Sequence, residues 1–472
     1  MEATLSALVG AVNSILWDYL LVYALIGIGV FFTFYLGAPQ IVRFGAGFKS
    51  VFGGLFAKKK NGDDKSLSQF QALAVAISAQ IGTGNVAGVA TAITAGGPGA
   101  IFWMWLSAVL GMSTIFAEAV LAQKYRVVSN GKYIGGPAFY ITHGLTPKIG
   151  RGAARFLSGF FSVAIIMALG FIGNATQANS IASTVTVAFD VPALAVGIVL
   201  ALLAGLTIVG GVNRIANVAQ FVVPFMAVLY ILCAVVILFE YSANIVPMIQ
   251  HIFVAAFDPE AVLGGAAGIG MREAVRYGVA RGLFSNEAGM GSTPHAHATA
   301  NVKHPVLQGM AAFVGVFIDT ILVCTATALI ILLTGADGLG LKGAAVTQQA
   351  FMMAFPGFGS QLLALCLTFF AFTTIIGWYY FGESNIRFLF HGKYMAVYRA
   401  LVLAAIVAGT LGKVDLVWSL SDMFNGFMVI PNLIALFLLR REIRAVYDDY
   451  LMRRKAGGEM SYPYEVHEYH EK

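Results

Sequence analysis

Two octets of this chain are built to one plan. Ser78-Ala79-Gln80-Ile81-Gly82-Thr83-Gly84-Asn85 and Ser285-Asn286-Glu287-Ala288-Gly289-Met290-Gly291-Ser292 both read Ser-x-(Gln/Glu)-x-Gly-x-Gly-(Asn/Ser). Each interrupts a long apolar segment with two glycines around a single residue. Glycine costs about 1 kcal/mol against alanine inside a helix and opens positive φ, so the pair favours a break. A helix broken at mid-membrane offers chemistry that an intact one does not. The half starting near Thr83-Gly84-Asn85 presents unspent N–H groups and a positive dipole end, which suit a carboxylate. The half ending near Phe284-Ser285 presents unspent carbonyls, which suit an ammonium group or a cation. Together the two ends match a zwitterion, an α-amino acid. Carbonyls that close the first half of the earlier segment, at Ser78, Ala79 and Ile81, offer the oxygen ligands a hard cation such as Na+ takes. The competing reading is close helix packing through small residues. The repetition favours the break, because a matched pair of Gly-interrupted segments in two halves of a membrane protein points to a transporter's binding site.

Other residues join these ends as candidates. Gln80 lies beside the first break with Thr83, Gly84 and Asn85, and Ser285 lies beside the second. Thr373-Thr374 puts two adjacent hydroxyls at mid-membrane, where they either complete a sodium shell or bond back to their own helix. Phe171, Phe284 and Trp378 have the bulk to enclose a small apolar side chain, although aromatics also face lipid. Ionisable residues inside apolar segments are functional candidates by default, which covers Glu118, Asp319, Glu287, Arg272, Glu273, Arg276 and Arg281. Arg272, Glu273 and Arg276 stand at helical spacing and are expected to line an outer vestibule or pair with one another. Glu287 lies within a break and could be a cation ligand, a proton carrier or a hydrogen-bond anchor. His295 and His297 share a metal-pair spacing, but without further ligands nearby a metal is not expected.

The elements that must position these groups are membrane helices. Of 472 residues, 58% are hydrophobic and 11% charged, against roughly 25% charged in a soluble domain, so the chain reads as an all-α polytopic membrane protein. The net charge of +6 sits in connecting loops, which is a topology signature and not a nucleic-acid face. Cys233, Cys324 and Cys366 all fall in apolar runs and form no disulfide framework. No removable signal peptide is evident.

A leader span runs from about Ile15 to Leu36, followed by a basic stretch with Arg43, Lys49, Lys58, Lys59, Lys60 and Lys65. Span one, about Phe70 to Thr94, carries the first octet, and Gly96-Gly97-Pro98-Gly99 turns into span two, about Ile101 to Ala122. Span three is expected from Phe156 to Thr186, span four up to Gly210, and span five from Ala216 to Phe239. A long outer connection from about Glu240 to Gly268 leads into span six, which carries the second octet. Spans seven to ten are expected near Val306 to Thr334, Ser360 to Phe381, Ala396 to Leu411 and Val417 to Leu439. Basic residues alternate between the connections so as to give eleven spans, the amino terminus outside and a cytoplasmic tail. Five spans separate the two octets, an odd number, so the halves run in opposite directions. The division expected is a leader and linker at 1–68, inverted repeats at 69–240 and 241–440, and a cytoplasmic tail at 441–472 whose last residues, rich in Tyr, Glu and His, are surface-bound or disordered.

Gly96-Gly97-Pro98-Gly99-Ala100-Ile101-Phe102-Trp103-Met104-Trp105 closely resembles the signature of the alanine or glycine:cation symporter family. The likeness extends through Gly82-Thr83-Gly84-Asn85, Gly135-Gly136-Pro137-Ala138 and Gly282-Leu283-Phe284-Ser285-Asn286-Glu287-Ala288-Gly289, and covers nearly the whole chain. That family is similar in fold to sodium-coupled leucine transporters. The resemblance implies a substrate carboxylate on the backbone of Thr83 and Gly84. It also implies Na+ on carbonyls near Ser78 and Ile81 with the hydroxyls of Thr373 and Thr374, Trp378 against the substrate side chain, and Phe284 at its lid. A lysine in span five replaces sodium in proton-coupled relatives of the fold, and none lies between Ala216 and Phe239.

These readings converge on symport of a small neutral amino acid, alanine or glycine, with Na+ as coupling ion and no organic cofactor, in the plasma membrane. The alternative is a proton-coupled carrier of another small amino acid such as serine or glutamine. A channel would call for symmetric rings of charges or carbonyls, and an enzyme for a nucleophile–base set that is not apparent. The partners expected are the amino acid and membrane lipid, with no nucleic acid and a monomer as the working assumption.

Overall fold

A computed structural model describes residues 2–53, 66–257, 270–412, 414–457, 460–465 and 467–469. Lys58, Lys59, Lys60, Lys65, Asp258, Glu260 and Lys413 lie outside the described residues, as does part of the outer connection before span six. Among the described residues seven helices are long and apolar enough to cross a membrane, and eight if one bent pair counts as a span. The protein is therefore an all-α polytopic membrane protein.

In chain order the helices used below are α1 (Thr4–Tyr35), α2 (Gln69–Gln80), α3 (Gly84–Gly96), α4 (Ala100–Lys124), α5 (Pro137–Ile149), α6 (Arg151–Phe189) and α7 (Ala193–Ile208). They continue with α8 (Gly211–Glu240), α9 (Ser242–Phe257), α10 (Met271–Asn286), α11 (Pro294–Ala298) and α12 (Pro305–Thr334). The last are α13 (Gly359–Phe390), α14 (Met395–Leu411), α15 (Val414–Leu438) and α16 (Arg440–Ala456). The pair α2 and α3 bends by 47° at its break. The expected spans four and nine are the shorter apolar helices α7 and α14.

Burial sorts centre from periphery. Residues 71–90 and 281–300 are each buried without exception, two runs centred on the two octets. A helix buried on every face belongs in the middle of a bundle. The apolar windows of α12 and α13 are 72% buried, against 33% for α8 and 39% for α1, so α8 and α1 face lipid. Along α8 the exposed residues Phe221, Phe225, Val228 and Leu232 recur at helical spacing, which is the lipid face itself.

The leader helix starts well before Ile15, and Arg276 and Arg272 of α10 pair with its Asp18 at 2.6 and 3.8 Å, so these two arginines dock the leader. The outer connection holds α9, which packs on α4 through Phe102 and Phe253 (5.4 Å) and through Trp103 Nε1 donating to the Ala256 carbonyl (3.1 Å). The tail is also ordered over much of its length. Its helix α16 joins α5 through Lys148 and Glu442 (2.9 Å). His467–Glu468 adds a parallel strand to the hairpin of Val127–Ser129 and Lys132–Ile134, a small sheet outside the all-α expectation. The Arg126 guanidinium lies between the rings of Tyr133 (3.8 Å) and Tyr464 (4.1 Å), which fastens the tail to that hairpin.

Candidate functional site

The first break is assembled from local signals. Ser68 and Gln71 form a reciprocal cap that starts α2, each side chain accepting from the other's backbone N–H at 3.1 Å. The helix ends where Ile81 turns extended (φ −79°, ψ 96°). Beyond it the Gly82 N–H donates to Asn85 Oδ1 (2.9 Å) and the Thr83 N–H donates to Gln177 Oε1 (3.0 Å) from α6. Of the N–H groups expected to meet a carboxylate, that of Thr83 is thus taken by the Gln177 amide oxygen. Gly84 presses on the second octet: a Cβ there would lie 3.0 Å from Ser285 Cα and 3.3 Å from Phe284 Cδ1. The two broken helices touch at this residue.

Beside the break lies a cluster of oxygens. Thr374 Oγ1 is 3.0 Å from the Ser78 carbonyl, 3.1 Å from that of Ile81 and 3.1 Å from that of Phe370. One hydroxyl proton cannot serve three carbonyls at once, so carbonyl lone pairs are left unspent beside the Thr374 oxygen, and oxygens of this kind are what a hard cation takes. The approach depends on Gly377, one turn further along α13. A Cβ there would lie 3.1 Å from Ala79 Cβ and 3.2 Å from Ser78 Oγ, so α13 closes on α2 only because position 377 has no side chain. Thr373 faces another way, its hydroxyl on its own helix at the Phe370 carbonyl (2.9 Å) and near Met226 Sδ of α8 (3.5 Å).

The second break is wider. Glu287 ends α10 in the left-handed region (φ 59°), and Gly289 (φ 89°) and Gly291 (φ 80°) hold conformations that side chains resist. Their N–H groups donate to the Glu118 carboxylate of α4, Gly289 at 3.1 Å and Gly291 at 2.9 Å, and Asn432 Nδ2 adds a third donor at 2.5 Å. Gln80 Nε2 donates to the Asn286 carbonyl (2.6 Å), which spends part of the helix end expected to meet an ammonium group. The Glu287 carboxylate accepts from the Trp378 indole N–H and from the Ser292 hydroxyl. Trp378 is thus a fixed wall, braced on the break itself.

Asp319 of α12 links both breaks. It accepts from Asn85 Nδ2 (2.6 Å), from the Ser285 hydroxyl (2.9 Å) and from the Thr320 hydroxyl (2.7 Å). His295 spends Nδ1 on the Ser292 carbonyl (2.7 Å) and Nε2 on Asn385 (2.8 Å), a structural role.

Above this layer the aromatic lid differs in one member from the expected trio. Phe284 meets Trp378 edge-on (5.8 Å, 87°) and tilts against Trp418 (4.9 Å). Phe171 packs instead on Tyr398 (5.7 Å). Arg281 forms a two-pronged pair with Asp422 at 2.8 and 2.6 Å, with its guanidinium 5.2 Å from the Trp418 ring. A cavity of about 570 Å³ opens over this pair between Thr91, Thr94, Tyr277 and Trp418.

Around the first break three buried polar atoms, Gln80 Oε1, Thr83 Oγ1 and Gln177 Nε2, have no hydrogen-bond partner among the described residues. Buried polar atoms left unspent are costly, about 1–3 kcal/mol each, and such a group marks a place that a polar ligand completes. Gln177, Trp418 and the Arg281–Asp422 pairing were not singled out from sequence, although Asn174 and Gln177 form a polar i, i+3 step inside an apolar helix.

Residues 1–463 match the description of the sodium:alanine symporter family. An uncharacterized transporter of Haemophilus influenzae is 42% identical over 96% of this chain and 97% of its own. The probable sodium/glutamine symporter GlnT of Bacillus subtilis is 40% identical over 97% of this chain and 93% of its own. The sodium/alanine symporter AgcS of Methanococcus maripaludis is 41% identical over 92% and 94%. With a match that runs almost from end to end, the chain belongs to the sodium:alanine symporter family, a family of transporters and not of enzymes.

Proposed function

We propose that this protein carries a small neutral amino acid, alanine foremost, together with Na+ across the cell membrane by alternating access. The observation that carries the reading is the oxygen cluster of Thr374, Ser78 and Ile81, set beside a helix break lined by unspent polar atoms. Na+ is held by the carbonyls of Ser78 and Ile81 and the Thr374 hydroxyl; Ala79 packs the helices there, and Thr373 joins the shell only after its hydroxyl turns from Phe370. The substrate carboxylate takes the place of Gln177 Oε1 on the Thr83 N–H, with Gly84 and Asn85 beside it. Its ammonium group lies toward Gln80 Oε1 and the carbonyls of Phe284 and Ser285. Its side chain meets Phe284 and Trp378, and Phe171 stays outside that wall. One cation moving with a net-neutral zwitterion carries one charge, worth about 2.3 kcal/mol per 100 mV of potential.

The architecture that goes with this is a leader helix followed by a five-plus-five inverted repeat of eleven spans, with repeats at 69–240 and 241–440, the amino terminus outside and the tail inside. Support comes from a mirrored pair of carboxylates. Glu118, from the helix after the first break, serves the N–H groups of the second, and Asp319, from the helix after the second break, serves Asn85 of the first.

Uptake of radiolabelled alanine into proteoliposomes, with external Na+ titrated at fixed pH, tests the reading. Saturable dependence on Na+ and competition by glycine and serine are expected. Uptake that follows a proton gradient and ignores Na+ would replace it with proton coupling, a reading that the buried Asp319, in contact with both breaks, favours. A competition panel that includes glutamine sets the substrate.

A further inference from the structure

The end of the bundle that carries the tail helix holds a cavity for which transport has no use. It measures about 590 Å³ and lies between the start of α6, the turns of α5 and the end of α13. Arg151, Arg155 and Gly159 recur every four residues along α6 and line one wall, with Thr142 and Thr146 of α5 opposite. Both arginines are exposed, and among the described residues neither enters an ion pair and no acidic side chain lines the cavity. Burial and the neighbouring His467 hold His143 below the usual histidine range, which disfavours its charged form beside the two guanidinium groups.

Directly along the same helix the chemistry changes. Phe156 is 72% exposed, Phe160 41% and Val163 55%, three apolar residues at spacings of four and three. Phe156 and Phe160 stack at 6.4 Å. Such a stripe on a membrane helix faces acyl chains. Two guanidinium groups at the helix start, with the exposed Phe156 next in sequence to Arg155 and Phe160 one turn further on, set a basic face beside an apolar one, as the headgroup and tail of a phospholipid require.

We infer that this cavity binds the phosphate headgroup of an anionic phospholipid from the surrounding bilayer, with Arg151 and Arg155 on the phosphate and Phe156 and Phe160 against its acyl chains. Guanidinium is the side-chain group best matched to phosphate oxygens. Basic pockets between membrane helices are known to take lipid headgroups. A soluble anion would draw on the arginines but gain nothing from the aromatic stripe.

The test uses the full-length protein in detergent, titrated with phosphatidylglycerol, phosphatidylcholine or inorganic phosphate, and read by lipid adducts in native mass spectrometry and by thermal melting. Phosphatidylglycerol is expected to bind and stabilise more than phosphatidylcholine, and phosphate alone to do neither. Arg151→Gln and Arg155→Gln should each weaken phosphatidylglycerol about fivefold, as expected for one basic residue at an anionic surface. Gly159→Phe keeps both charges and fills the cavity; since nothing lies within 4 Å of a Cβ there, the fold has room for it, and it should also lose the lipid. Equal phosphatidylglycerol binding in wild type, the arginine variants and Gly159→Phe would overturn the assignment. So would stabilisation by inorganic phosphate equal to that by the lipid.

Discussion

At position 374 a hydroxyl stands within 3.1 Å of carbonyls from two helices, whereas at 373 it turns to its own helix and a thioether. One residue of helix phase separates the two. Thr374→Ala should therefore raise the Na+ concentration for half-maximal uptake about tenfold, the effect of roughly 1.4 kcal/mol of lost ligation. Thr373→Ala should raise it far less, and equal shifts in the two variants would mean that both hydroxyls reach the ion. The aromatic wall divides in the same way. The Phe284 ring packs on Trp378 and Trp418 and braces no polar group, so Phe284→Ala should admit valine or leucine while alanine still competes. Exclusion by size rests on clash, since one methylene in an apolar pocket is worth only about 1–3 kcal/mol. Trp378 braces Glu287, so Trp378→Ala should lose alanine transport without gaining larger substrates. Competition with a graded aliphatic series separates the two, and a Trp378→Ala protein that transports leucine would show that the brace is dispensable.

Between elements, the breaks were legible because glycine's effect is local: Gly82, Gly84, Gly289 and Gly291 mark them without reference to the rest of the chain. What closes each break was not legible, because the groups arrive from far along the sequence. Gln177 meets Thr83 across 94 residues and Glu118 meets Gly291 across 173. The two Thr readings stayed level for a related reason, since the phase of α13 is set by the close contact of Gly377 with α2. Glu118→Ala would strand the Gly289 and Gly291 N–H groups, at about 1–3 kcal/mol each, and leave Asn432 Nδ2 only the Gly289 carbonyl. The purified variant should melt well below wild type, and Glu118→Gln, which keeps an acceptor, should fall between them. An Ala variant as stable as wild type would show that water reaches those N–H groups.

Over the whole molecule, the cavity of about 570 Å³ stops at the Arg281–Asp422 pair, whose side chains are only 8% and 18% exposed. The pair ties α10 to α15 over Phe284, so motion of either helix has to break it. Asp422→Ala should speed the release of bound alanine toward the cavity and leave the Na+ dependence of uptake unchanged. Dissociation followed by rapid dilution of labelled protein checks this, and an unaltered rate would make the pair a static tie. The spans were readable where a helix is long and apolar throughout; α7 and α14 are short, and α9 hid in what composition marks as a connection.

The exchange of carboxylates between halves has a consequence for biogenesis. Asn85 lies 234 residues ahead of Asp319, its partner in the finished molecule. At about 5–20 residues per second of synthesis, the first broken helix waits roughly 10–50 s in the bilayer before that carboxylate exists. During the wait its polar groups have only lipid, the insertion machinery or early neighbours to satisfy them. A chain truncated before residue 319 should therefore be degraded faster in the membrane than the full-length protein, which a pulse-chase of the two checks.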